Sequence, residues 1–531
     1  MPGIIGSTGW DRSSAWIWDF SSTQSTTARY QSRRGLRIDT GHGELSAERH
    51  LEDAAFDIAA AWQSNMRAVV HVARQRVLRR GSSTSPGDEL ARDEEAWSPL
   101  RQGAARRSLR RRAPKRRRHR ACRALLENRP VSVTPRSYGE PMTEIAVLAR
   151  VHTGDGPPVE QLTCHPRLPL AAATAAGSRL VRIWDFADGQ LRELAPVGVD
   201  SEPADDRSAW WPGGCLPLAW HPEQPLLFVT DGTALTRWTP DGPSAVEPSP
   251  TPYQCLAFSP DGGHLWASPS ADGWETSDVL DLATGATTTA RGWDTGVAAH
   301  PSGELLATLV SDQSTTFCLF ARPAGGTMRQ LRNALILDVD GYGTPLFSPD
   351  GRHLAIRGNA YFDSVDVFEL PSLQRVLSTS LGEPDDPGQW PRQNLAFGAA
   401  PGVLWIGSPT GTLIELDVTA RSAVEHDLLS GLSLSALTAT ATGHLLAARA
   451  DGELLLLSTH PTAPAVLGDE AATFLASTDD VPEDGELEPH LLITDGSGTW
   501  SQGDLAAVTE TAATDPTWLQ LRAAVNRAPA D

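Results

Sequence analysis

The stretch Leu256-Ala257-Phe258-Ser259-Pro260-Asp261-Gly262-Gly263-His264-Leu265-Trp266-Ala267 decides the fold. It sets two short apolar runs on either side of Ser-Pro-Asp-Gly. Apolar runs of this length bounded by turn residues read as strands buried on both faces. Pro fixes φ at the first turn position and Gly accepts a positive φ, so the two runs fold back as a tight antiparallel pair. Nearly the same text returns at Leu346-Phe347-Ser348-Pro349-Asp350-Gly351, followed by His353-Leu354-Ala355.

Other copies spread outward from these two. His-Pro replaces Ser-Pro in Leu162-Thr163-Cys164-His165-Pro166, in Leu218-Ala219-Trp220-His221-Pro222 and in Val297-Ala298-Ala299-His300-Pro301. Their second strands are Leu170–Ala173, Leu226–Val229 and Leu305–Ala307. A sixth unit (Leu395-Ala396-Phe397 with Val403–Ile406) and a seventh (Leu437-Thr438-Ala439 with His444–Ala447) lack the proline. An eighth is read at Thr473–Ala476 with Leu491–Ile493. The prolines at 166, 222, 260, 301 and 349 are spaced by 56, 38, 41 and 48 residues, close to the length of a four-stranded blade. Helical solenoids of similar period need ten-residue amphipathic runs, and none occurs here. The expected fold is therefore all-β, a β-propeller of seven or eight four-stranded blades. Eight anchors give about 45 residues per unit and seven about 52, and eight is the preferred count.

The unit resembles the WD-repeat. Its Phe-Ser-Pro-Asp-Gly-x-x-Leu-Ala core is also similar to related bacterial propeller repeats. The resemblance runs from about Thr143 to Gly503. The Trp-Asp signature survives at Trp184-Asp185, while Trp238, Leu416 and Leu457 hold similar places elsewhere. The Gly-His pair that opens a full WD unit is largely absent, and with it the buried polar tetrad. In such propellers the N-terminal strand commonly completes the last blade, a part Glu144–Ala149 would play. The resemblance implies a protein-protein interaction scaffold working through its inter-strand loops.

Charge divides the chain in two. Residues 1–141 hold 26 Lys+Arg against 15 Asp+Glu, a net of +11, whereas residues 142–531 carry a net of −31. The only lysine is Lys115, which removes Schiff-base lysines and a phosphate-binding P-loop from the body of the chain. The cysteines Cys122, Cys164, Cys215, Cys255 and Cys318 are never closer than 40 residues, so no zinc ribbon or dithiol motif exists. No apolar run reaches the length of a membrane helix, and no secretory signal opens the chain. These features point to a cytoplasmic, monomeric protein without membrane contact.

The domain reading is an Arg-rich extension over 1–141, a propeller over 142–505 and a tail over 506–531. The extension is partly helical or disordered, with a helix near 45–80. In Arg106–Arg120 ten of fifteen residues are Lys or Arg. Such a segment cannot offset its own ordering entropy, and as an arm it would bind nucleic acid through counterion release. A competing reading starts the protein at Met142. Gly139-Glu140-Pro141 back-translates to a purine-rich tract at ribosome-binding distance, and GC-rich upstream DNA reads readily as Arg-rich text. In the tail, Asp515-Pro516 introduces a helix over Thr517–Arg527.

Motifs of chemistry are sparse. No G-x-S-x-G elbow and no H-E-x-x-H is present. His165, His221 and His300 recur at one repeat position, and His264, His353 and His444 at another. They could converge on an axial metal, or they could hold hydrogen bonds beside turns that recur because the repeat recurs; the second reading is preferred. Asp338-Val339-Asp340-Gly341 opens like a calcium loop but lacks the later ligands. Acid gathers in Asp200–Asp206, Glu383–Asp386 and Asp479–Glu488, loops of the kind that bind partners. No catalytic, cofactor-binding or metal residue is assigned and no cofactor is expected. The partner is a protein or peptide, favoured electrostatically if basic, with nucleic acid a partner only through the arm. The alternative is a propeller hydrolase or lyase with a site in the axial channel.

Overall fold

In a computed structural model, the structure describes residues 145–527 except 155, 176, 199–214, 232–233, 247–252, 294, 313–314, 338–342, 359–362, 382–389, 429–430, 460–464, 484–485 and 513–514. The expected helix near 45–80, the Arg106–Arg120 arm and Met142 lie outside the described residues. So do Asp338–Gly341 and the acidic clusters at 200–206 and 383–386.

Seven blades form a propeller. Blade I is Val159–Cys164, Leu170–Ala175, Arg182–Asp185 and Arg192–Glu193. Blade II is Leu218–Trp220, Leu227–Thr230, Leu235–Thr239 and Gly242–Val246, and blade III is Cys255–Phe258, His264–Ser268, Thr276–Asp281 and Thr287–Arg291. Blade IV begins with Thr295–Ala299, Leu306–Asp312, Thr315–Ala324 and Thr327–Leu337. Blade V is Leu346–Phe347, His353–Gly358, Ser364–Glu369 and Gln374–Ser380, and blade VI is Leu395–Phe397, Val403–Gly407, Leu413–Asp417 and Ser422–His426. Blade VII takes Leu434–Ala439, Leu445–Arg449 and Glu453–Ser458, and its fourth strand is the N-terminal Ala146–His152.

The N-terminal strand thus closes the ring as expected, a few residues later than Glu144–Ala149. Inner strands of neighbouring blades lie against one another, and an apolar layer fills each interface. The layer between blades VII and I, for example, joins Ala149, Leu454 and Leu456 to Leu162 and Trp184. Strands buried on both faces read as continuous apolar runs for this reason.

The eighth unit does not become a blade. Glu470–Ala476 is a helix, and Leu492–Thr494 pairs in parallel with the outer strand of blade IV, Asn333 opposite Leu492. Thr499–Ser501 pairs with it in turn, so blade IV has six strands. A four-residue apolar run is compatible with a strand or a buried helical face. Here Phe474 is fully buried against Phe320, with ring centroids 4.9 Å apart, among Leu331, Leu335 and Leu370. Two further helices follow, Gln502–Ala507 with a Ser501/Asp504 capping box and Thr517–Arg527. Trp518 meets Trp500 edge-on at 5.1 Å.

The acidic stretch from Asp479 is also recruited to blade IV rather than left as an open loop. Arg322 Nε donates to Asp480 Oδ1 (2.8 Å), Arg329 pairs with Glu483, and Val481 N donates to Gln330 O (2.8 Å). The Arg322 guanidinium holds the Asp480 carboxyl below its ordinary value.

Candidate interaction face

Strand direction alternates through each blade, so the ring has two chemically different ends. Turns joining first to second and third to fourth strands open at one end. Turns joining second to third strands, and the links between blades, open at the other. The His-Pro and Ser-Pro-Asp-Gly motifs belong to the first end, the turn end.

There the recurring histidines join successive blades. His165 Nδ1 accepts from Arg167 N and Leu168 N (both 3.0 Å), so its proton sits on Nε2, which reaches Gln224 O of blade II (2.7 Å). His221 Nδ1 accepts from Glu223 N and Gln224 N (3.0 and 2.9 Å), and its ring bonds the Gly262 backbone of blade III. His300 Nδ1 accepts from Ser302 N (3.1 Å) and Nε2 meets Gly351 O of blade V (3.0 Å). Each ring also faces an aromatic of the next blade: Trp220, Phe258 and Phe347, at 5.5, 5.2 and 5.2 Å. These contacts explain the Asp-Gly turns. Gly262 and Gly351 have φ of +73° and +75°, and a Cβ there would stand 2.3 and 2.4 Å from the Nε2 of His221 and His300. The three histidines therefore serve as clasps between blades.

The second set does not share one role. His264 lies against the Gly326 turn of blade IV, His353 is buried, and His444 is half-buried. Among the described residues no group of three or more His, Cys, Asp or Glu could hold a metal.

The clasps have a pH consequence. Burial pushes His165, His221, His300 and His353 below the ordinary imidazole value. The unfolded chain then takes up protons first, near pH 6.5, so stability is intact above that value and falls as pH drops below it. The thermal midpoint should decline from about pH 6.5 downward, and the triple variant H165N/H221N/H300N should flatten that decline. An equal slope in the variant would show that the clasps do not titrate this way.

The other end, the connection end, carries polar groups beside the ring axis. Glu160 on the inner strand of blade I is raised by burial and partly lowered again by Arg392. Gln393 caps the joint between blades VI, VII and I: its Oε1 accepts from Leu162 N (2.7 Å), its Nε2 donates to Leu162 O, and its carbonyl accepts from Leu437 N (2.8 Å). Cys215 is buried nearby with its thiol pushed up to about 11, and Cys164, at the turn end of the same inner strand as Glu160, is pushed to about 12. Neither is a thiolate near neutrality. Arg357, buried, donates from Nε to Asn394 Oδ1 (2.9 Å) and from Nη2 to Asp363 Oδ1 (2.7 Å). Tyr253 Oη donates to Asp278 Oδ2 (2.7 Å). A shallow cleft lined by Thr153, Pro157, Thr174, Ser178 and Arg182 lies on the same end.

Among the described residues, two large apolar side chains are exposed at this end, Leu432 (40%) in the link from blade VI to blade VII and, more fully, a tryptophan. Trp274, in the turn between the second and third strands of blade III, is 59% exposed, whereas Trp184, Trp238, Trp266 and Trp293 are at most 2% exposed. Sequence reasoning passed over it. Its neighbours Asp272, Gly273 and Glu275 mark a turn but do not reveal which way the indole points. Comparison of the chain with protein-family models and with curated proteins returns no match.

Proposed function

We propose that this chain is a non-catalytic, WD-repeat-like scaffold, monomeric and cytoplasmic, whose connection end receives a basic protein or peptide. The observation that carries this reading is where acid falls along the chain. In the sequence, 200–206 falls between the last strand of blade I and the first of blade II, and 383–386 between the last strand of blade V and the first of blade VI. Glu160, Asp272 and Glu275 belong to the connection end. On a body of net charge −31 over residues 142–531, acid of this density steers cations inward and speeds their association.

The enzyme reading draws on Glu160, whose carboxyl is raised by burial and partly lowered again by Arg392. The neighbouring Cys215 thiol, held up to about 11, does not supply it with a thiolate nucleophile near neutrality. The scaffold reading uses more of the surface and is preferred.

Selection of displayed random peptides against the full chain tests it. Enriched peptides should carry clustered Arg or Lys, and their affinity should fall as ionic strength rises. E383Q/D385N/D386N should weaken them several-fold, mainly through association rate, while H221N at the turn end should not. Enrichment of neutral or acidic peptides, or affinity indifferent to salt, would contradict the proposal.

A further inference from the structure

We infer that Trp274 is the anchor of the connection end, seating an arginine side chain of the partner against its indole with Asp272 and Glu275 beside it. The inference rests on the scaffold reading above and gives it a chemical address.

The turn is built to present this side chain. Ser270 N donates to Thr276 O (2.8 Å), Ser270 Oγ meets Thr276 Oγ1 (2.5 Å), and Asp272 N donates to Ser270 Oγ (3.1 Å). Gly273 N returns to Ser270 O (3.2 Å), and Gly273 has φ of +129°. On the far side Gly292 N donates to Glu275 O (2.8 Å). A Cβ on Gly292 would lie 2.4 Å from Trp274 O, so the next segment packs closely under the turn. Both ends of the loop are fixed while the indole stands in solvent. Holding an apolar side chain of this size in water is unfavourable, and a rigid, exposed Trp is the residue type that dominates binding energy at protein interfaces.

The flanking charges select the partner. Asp272 and Glu275, both exposed, precede Trp274 by two positions and follow it by one. An indole face with adjacent carboxylates suits a cation. A planar guanidinium uses both, stacking on the ring while its N–H groups reach a carboxylate, which a lysine ammonium does less well. An anionic lipid surface would be repelled by the same carboxylates.

The test uses the full chain and an oligoarginine peptide, with oligolysine for comparison, followed by calorimetry and by iodide quenching of exposed tryptophan. Oligoarginine should bind more tightly than oligolysine and shield a quenchable tryptophan. W274A should weaken oligoarginine roughly tenfold, W274F by less, and D272N/E275Q several-fold. Unchanged unfolding midpoints in these surface variants would exclude a folding defect. If oligoarginine binds but W274A binds it equally well, the anchor is wrong and the scaffold reading survives. If oligoarginine does not bind the wild-type chain at any salt, the anchor and the basic-partner reading both fail.

Discussion

A chain cut back to begin at Thr153 loses its closed ring. Strand Ala146–His152 pairs with Glu453–Ser458 from Ala146 opposite Ser458 to His152 opposite Glu453. At about 0.5–1.5 kcal/mol net per hydrogen bond, losing this ladder removes several kcal/mol from a fold whose total stability is of order 5–15 kcal/mol. The loss does not end with the ladder. Ala149 belongs to the apolar layer shared by blades VII and I, and its removal bares the side of Leu454 and Leu456 that the strand covers. The truncated chain should bind a hydrophobic dye and unfold without a sharp transition. A synthetic peptide spanning residues 144–153 should restore the transition by supplying the missing strand. A truncated chain as cooperative as the full one would show that this strand does not hold the ring shut.

The second large effect lies on the opposite side of the ring. Phe474→Ala should cost about 3–5 kcal/mol, the range for emptying a fully buried aromatic site. Phe474 is the wedge by which the C-terminal segment enters the layer between blades IV and V, touching Phe320 among Leu331, Leu335 and Leu370. Outside that layer the segment is held by the short parallel pairing of Leu492–Thr494 with the outer strand of blade IV, by backbone bonds from Val481 N to Gln330 O and from Arg332 N to Asp479 O, and by ion pairs such as the exposed Arg332–Asp479 (3.9 Å). Exposed pairs contribute little each. Faster amide exchange and proteolysis should therefore be concentrated in residues 465–510, with the inner strand Val159–Cys164 still protected. Uniform loosening of all blades would mean that the segment is part of the ring's own closure.

The repeat was legible because its signals are local. Ser-Pro-Asp-Gly at 259–262 lies in the turn between Cys255–Phe258 and His264–Ser268, and its glycine is required both by its positive φ and by His221 of the preceding blade. The His-Pro copies were legible as turns, but their reach to the next blade was not, because that contact spans tens of residues of chain, 59 from His165 to Gln224. The eighth unit misled for a physical reason. Thr473-Phe474-Leu475-Ala476 is apolar at every spacing that matters, and only its burial against Phe320 makes it a helix packed on blade IV. Leu492 and Ile493 of the expected Leu491–Ile493 do join a strand, Leu492–Thr494, yet its partner is an outer strand of blade IV, a pairing that no local pattern encodes. Trp274 was hidden for the opposite reason. Exposure is a property of the assembled ring, and a tryptophan in a polar turn reads the same whether it folds inward or stands free.

The scaffold account is tested most directly by the hydrogen-exchange footprint of a bound arginine-rich peptide on the full chain. The account predicts slowed exchange in the turn 269–275, in the links 194–217 and 381–394, and around Glu160 and Gln393, with no change at the turn-end segments 165–170, 221–226 and 300–305. Protection confined to those turn-end segments, or to the outer strands of the blades, would place the partner elsewhere and contradict it.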